Sequence, residues 1–94
     1  MALPAHAQIT RNLPASGQIG TLTADPSLPL PFVRIDNRVF RLAPGAVIVD
    51  TGNLSIVHAQ IPPRATVLVD FDAAGDALRI FMLTPEELAR LRRH

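Results

Sequence analysis

Residues Arg64–Leu83 read RATVLVDFDAAGDALRIFML, two strands joined by a tight turn. Val67, Val69 and Phe71 alternate with Thr66, Leu68 and Asp70. Beyond the turn, Leu78, Ile80 and Met82 alternate with Arg79, Phe81 and Leu83. Period-two alternation around a loop of Asp, Ala and Gly predicts a β-hairpin. Gly75 supplies the positive φ that the Asp72–Asp76 connection needs. Apolar residues lie on both faces, which places part of this hairpin centrally and not at a solvated edge. A lone hairpin is marginal in water, so more strands or a helix must cover it.

Upstream, Phe32–Leu42 (FVRIDNRVFRL) predicts a second hairpin on an Asp36-Asn37 turn, because both side chains tolerate left-handed backbone. With Ile35 opposite Arg38, Val33 falls opposite Phe40 and Arg34 opposite Val39. Val33, Ile35, Phe40 and Leu42 then face the core, while Arg34, Val39 and Arg41 face outward. Ala43-Pro44-Gly45 is expected to break the strand, leaving Ala46–Asp50 as a separate short buried one. Gly17–Ala24 reads as the first strand, and Gly20 within it marks a bend, a bulge or a close backbone approach. Asp25–Pro31 holds three prolines and reads as a stiff connector. Its PxxP match, Pro26 to Pro29, is unsurprising in a chain with nine prolines. Leu54–Ile61 reads as a strand or a loosely extended segment, closed by Pro62-Pro63.

The tail changes character. Thr84 is an N-cap, Pro85 takes the first helical position and Glu87 completes a capping box. Acidic residues open this helix and arginines close it, matching its dipole. The fold that follows is mainly β: a small antiparallel OB/SH3-like barrel or rolled sheet of five to six strands, with a short C-terminal helix. Residues 1–16 are assigned to a signal-peptide remnant and flexible arm, 17–83 to the barrel and 84–94 to the helix.

Composition narrows the function classes. Ninety-four residues make one domain, near the lower end of what buries a self-sufficient core. Every basic side chain apart from histidine is arginine, and nine of them against eight acids leave a net charge of +1. That balance argues against the basic stripe of a non-specific nucleic-acid binder. The absence of cysteine excludes disulfides and thiolate metal sites. No apolar run approaches the roughly 20 residues of a membrane-spanning helix. Ala5-His6-Ala7-Gln8 has the small-x-small pattern that signal peptidase reads. An exported, periplasmic chain cleaved near Ala7-Gln8 is the expectation.

No residue set declares a reaction. His58 is the one histidine within the barrel, and no elbow or triad spacing surrounds it. Asp70, Asp72 and Asp76 cluster at the central turn, but the calcium-loop spacing and its closing Glu are absent. The expectation is therefore no catalytic residue, no metal and no cofactor. Arg34, Arg38 and Arg41 offer an arginine patch for a polyanion. Oligonucleotide binders of this barrel type stack bases on exposed aromatics, however. The chain has four Phe and no Tyr or Trp, with Phe40 and Phe71 assigned to the core.

The layout resembles a family. "GQIGTL" as a G-x-I strand, "VRIDNRVFRLAPGAVIVD" and "PPRATVLVDFDAAGDALRIFML" look like the small secreted accessory proteins of type IV pilus (fimbrial) biogenesis, and like related secreted bacterial domains. The resemblance covers residues 17–83. Asp36-Asn37 departs from the usual Asn-Gly turn, and the terminal helix is extra. The resemblance implies export, a small β-barrel and a role through protein–protein contact in the cell envelope, with no catalytic residues. The surfaces expected to meet a protein partner are Arg34, Val39 and Arg41 on the hairpin and Leu88, Leu91 and Arg92 on the helix. The competing reading is an OB-like domain binding nucleic acid or another polyanion through Arg34, Arg38 and Arg41. The sequence leaves homo-oligomerisation open.

Overall fold

A computed structural model describes residues 13, 14 and 16–92. The leader reading and its cleavage point lie outside these residues. Six strands are present: β1 (Gln18–Thr23), β2 (Phe32–Ile35), β3 (Arg38–Val49), β4 (Ser55–Ile56), β5 (Arg64–Phe71) and β6 (Ala77–Met82). A 3₁₀ turn, His58–Gln60, lies between β4 and β5, and helix α1 (Pro85–Arg92) ends the described chain. The strands run in the order β2-β1-β5-β6-β3-β4, and a further β2–β3 pairing closes five of them into a ring. β4 lies outside the ring, on β3. The result is a small closed barrel of the expected kind, and closure removes most of the free strand edges that would template aggregation.

The Phe32–Leu42 hairpin forms as the alternation predicts, and the Arg64–Leu83 hairpin forms with a bulge in its second strand. Asp36 and Asn37 adopt φ of 53° and 64°, the left-handed pair that matches strand twist. The register sets Val33 opposite Phe40, Arg34 opposite Val39 and Ile35 opposite Arg38. Val67, Val69, Ile80 and Leu22 are fully enclosed and make the centre of the core. Each contributes on the order of 1.5–3 kcal/mol of burial. Phe40 and Phe71 pack against that cluster, with ring centroids 5.0 Å apart. Gly20 proves to be a close approach: a Cβ there would lie 2.8 Å from Asp36 Oδ2 and 3.0 Å from Ile35 Cγ2.

The outer face of β5 is buried as well. Leu68 is 2% exposed, and Gly17 lies against it so closely that a Cβ would stand 2.6 Å from Leu68 Cγ. Beside it the Ser16 hydroxyl donates to Asp70 Oδ1 at 3.2 Å. The helix starts as written in the sequence. Thr84 Oγ1 accepts the Glu87 N–H at 3.1 Å, and Glu87 Oε1 accepts the Thr84 N–H at 3.0 Å.

Four details differ from the sequence reading. Ala43-Pro44-Gly45 does not end a strand. β3 continues through it, and its register on β6 shifts between Leu42 and Val47. Gly45 takes φ of +78° at this corner, so the strand bends and serves three partners: β2 along Arg38–Arg41, β6 across the corner and β4 at Ile48 and Val49. Leu78 is not the inward residue of β6. Asp70 pairs with Arg79 and Phe71 with Ala77, so Leu78 is the extra residue of a bulge, half-buried, and Ala77 fills the interior. The β3–β6 pairing is parallel, as the long crossover through β4 and β5 permits. Within Leu54–Ile61 only Ser55–Ile56 is strand, and Gln60 Oε1 accepts the Val57 N–H at 2.9 Å to start the 3₁₀ turn.

Candidate binding cleft

The connector Asp25–Pro31 does not lie flat. Asp25 folds it back: Oδ1 accepts the Ser27 N–H at 2.9 Å and the Ser27 hydroxyl at 2.6 Å, while Oδ2 accepts Arg34 Nε–H at 3.0 Å. The Asp25 carbonyl also accepts the Leu28 N–H at 2.9 Å. Asp-x-Ser is a turn former of this kind, because the short acid reaches backbone two residues on. These bonds hold the Asp25 carboxyl below the usual carboxylate range, Ser27 contributing first and Arg34 after it.

The folded connector forms one wall of a cleft of about 400 Å³. Pro26, Leu28, Pro29 and Leu30 line that side, Phe32 and Arg34 come from β2, and His58, Ala59 and Ile61 come from the 3₁₀ segment. His58 fastens the far wall, since its Nε2 lies 2.7 Å from the Phe32 carbonyl oxygen. The surroundings are mostly apolar with few polar groups, and the volume is within the range of ligand sites. Leu30 is 66% exposed at the rim, and Phe32 is exposed beside it.

The cleft opens toward the outward face of the β2–β3 hairpin, where Phe32, Arg34, Val39 and Arg41 alternate out of the barrel. Val39 is 47% exposed. Arg41 donates to Asp76 Oδ2 through Nη2 at 2.7 Å and Nε at 3.2 Å, which raises its pKa further. Both outward arginines thus carry a carboxylate. Arg38 is not beside them. It sits on the opposite face, with its guanidinium 5.6 Å from the Phe40 ring centroid, because position 38 shares the parity of Phe40. The three arginines therefore do not form a single patch. On α1, Leu88 and Leu91 are half-buried and Arg92 is exposed, distant in sequence from the cleft elements.

The acids of the central turn are engaged. Asp70 receives Arg79 Nη2 at 2.6 Å and Nε at 3.1 Å. Those bonds, with the Ser16 hydroxyl, hold its carboxyl below the ordinary range against the opposing effect of burial. Asp72 Oδ1 accepts the N–H groups of Ala74 and Asp76 at 2.9 Å each, capping the turn. Among the described residues no group of three or more His, Asp or Glu converges to hold a metal. No helix among them is long and apolar enough to cross a membrane.

The sequence named Arg34 and Val39 correctly as outward residues. It missed Asp25, Leu30 and the His58–Phe32 link that build the cleft. The Asp25-Pro26-Ser27 spacing was a legible turn signal. The His58 contact spans 26 positions and has no local signature. Comparison of the chain with family models, with curated proteins and with solved structures found no match.

Proposed function

We propose that this protein is a non-enzymatic interaction module that holds an apolar segment of a partner protein in the cleft between the Asp25–Pro31 connector and the 3₁₀ turn. The observation that carries this reading is the cleft itself, with its apolar walls, its volume of about 400 Å³ and an exposed leucine at its rim. Phe32 and Val39 extend the apolar surface onto the hairpin, and the flanking arginines are already neutralised by Asp25 and Asp76. Exposed apolar groups gathered at a concave site mark an interaction surface more often than scattered ones do. The setting proposed for this contact is the cell envelope, in type IV pilus biogenesis. That part rests on the sequence resemblance over residues 17–83.

A photo-crosslinking residue placed at Leu30 or Val39, with Ala73 on the central turn as control, tests the reading in cells. The expected result is one envelope protein joined through Leu30 and Val39 and not through Ala73, with an uncharged, apolar crosslinked peptide. Equal yield from all three positions would remove the cleft from the proposal.

One observation favours a second reading. Phe32 stands exposed between Arg34 and Arg41 on the outward hairpin face, a stacking surface beside two cations. A polyanion bound there would lose affinity steeply with added salt. Titration with a labelled single-stranded oligonucleotide at two salt concentrations separates the readings.

A further inference from the structure

We infer that Arg34 and His58 read the main chain of the segment held in the cleft, so that the site selects an uncharged extended peptide over an anion. This deepens the proposed function and depends on it. The polar groups along the cleft are few, and their bonding can be followed donor by donor. Asp25 is committed: Oδ1 takes two bonds from Ser27 and Oδ2 takes Arg34 Nε. Arg34 spends Nε on Asp25 and reaches the Asn37 carbonyl through Nη1 at 3.4 Å. A guanidinium has five N–H donors, so several on Arg34 have no partner among the described residues. The side chain keeps 30% of its surface exposed.

His58 has a fixed tautomer. Its Nε2 faces a carbonyl oxygen, which only accepts, so Nε2 carries the proton. In the neutral ring Nδ1 is then an acceptor, and it has no partner among the described residues. The cleft therefore presents unspent donors on one residue and an acceptor on another, amid apolar walls. A peptide group is the complement: its carbonyl takes an Arg34 N–H, and its N–H gives to His58 Nδ1. A carboxylate or phosphate fits less well. Arg34 is already neutralised by Asp25 at 3.0 Å, so a second anion would meet that carboxylate as well as the guanidinium. A ligand that covers these groups without matching them takes away their water and leaves them unpaired, at the cost of about one hydrogen bond.

The test uses the full chain, isotopically labelled, titrated with acetyl-Val-Leu-Val-amide and followed by amide chemical shifts. The same peptide is prepared with each amide nitrogen methylated in turn, and with a free C-terminal carboxylate. The parent is expected to shift Leu28, Phe32 and Ile61. Methylation at one position is expected to weaken binding about fivefold, the loss of one hydrogen bond. His58→Phe keeps a ring but has no acceptor, and should bind the parent and methylated peptides alike. His58→Gln restores an acceptor and should restore the difference. Equal binding of all methylated peptides to the native protein would overturn the inference while leaving the cleft reading intact. So would about fivefold tighter binding of the free acid. No shift in the cleft with any peptide would overturn both.

Discussion

Leu68 lies on the outward face of β5, where a sheet with one solvated side would carry a replaceable residue, yet it is 2% exposed with Gly17 packed on it. Leu68→Ala should therefore cost what an inner core truncation costs, about 2–5 kcal/mol. That is a large share of the roughly 5–14 kcal/mol expected for a domain of this size. Gly17→Ala should cost about 1–3 kcal/mol through overpacking, since the new methyl would stand 2.6 Å from Leu68 Cγ and 2.8 Å from Cδ1. The two losses should not add. Truncating Leu68 removes the atoms that the added methyl would strike, so in the double variant the Gly17→Ala change loses its cost. What is left of it is the restriction of the unfolded chain, a gain of up to about 1 kcal/mol. Urea unfolding followed by far-ultraviolet circular dichroism measures this, because the chain has no Trp or Tyr to report by fluorescence. A coupling of at least about 1 kcal/mol between the sites is expected. If Gly17→Ala leaves the midpoint unchanged, or if the two losses sum within about 0.5 kcal/mol, the packing of this segment on β5 is wrong.

Thr84→Ala removes the acceptor of the Glu87 N–H and should lower stability by about 1 kcal/mol, read from the same urea transition. Gly45→Ala has open space around the new methyl but a φ of +78°, so its cost of about 1–2 kcal/mol is purely conformational. Asp70 has a depressed carboxyl, held first by Arg79. Its contribution is present above the unfolded value of about 4 and is lost as pH falls through the lower folded value. Asp70→Asn should thus be less stable at neutral pH and show a shallower loss in acid, measured by thermal unfolding across pH. Asp76→Asn leaves Arg41 without its carboxylate, and should raise affinity for a single-stranded oligonucleotide at low salt and not at high salt, by fluorescence anisotropy.

Both hairpins, the register of the Phe32–Leu42 hairpin and the helix cap were legible because each is a local pattern. Alternation gives the inward face, Asp36-Asn37 gives the turn, and Thr84 with Glu87 gives the cap. Two of the failures share one cause. Leu78 and the Ala43–Ala46 corner are places where the ring must bend, and bending inserts residues that break the period of two. Alternation read straight through them assigns the wrong face to Leu78 and a false end to β3. At the cleft, outward Arg34 and Val39 were legible from the same pairing. The Asp25 turn was written locally in Asp25-Pro26-Ser27, but its bond to Arg34 follows only from the β1–β2 pairing, and the His58 contact with the Phe32 carbonyl spans 26 positions with no local signature.

Three arginines are held by acids: Arg34 by Asp25, Arg41 by Asp76 and Arg79 by Asp70. Each pair ties a strand to a loop or to a neighbouring strand. Pairs with a solvated guanidinium contribute little to stability, because water and salt screen them. Their larger effect is on what the surface offers. With Arg34 and Arg41 neutralised, the outward hairpin face presents Phe32 and Val39 rather than net positive charge. Arg38 is drawn over Phe40 on the other side. A chain of +1 overall can still gather its cations into a patch, and on the β2–β3 hairpin the three arginines are instead separated or paired. Steering of polyanions depends on such a summed field. In the function we propose, recognition at the cleft rests instead on the shape of its apolar walls and on the few unspent donors and acceptors beside them.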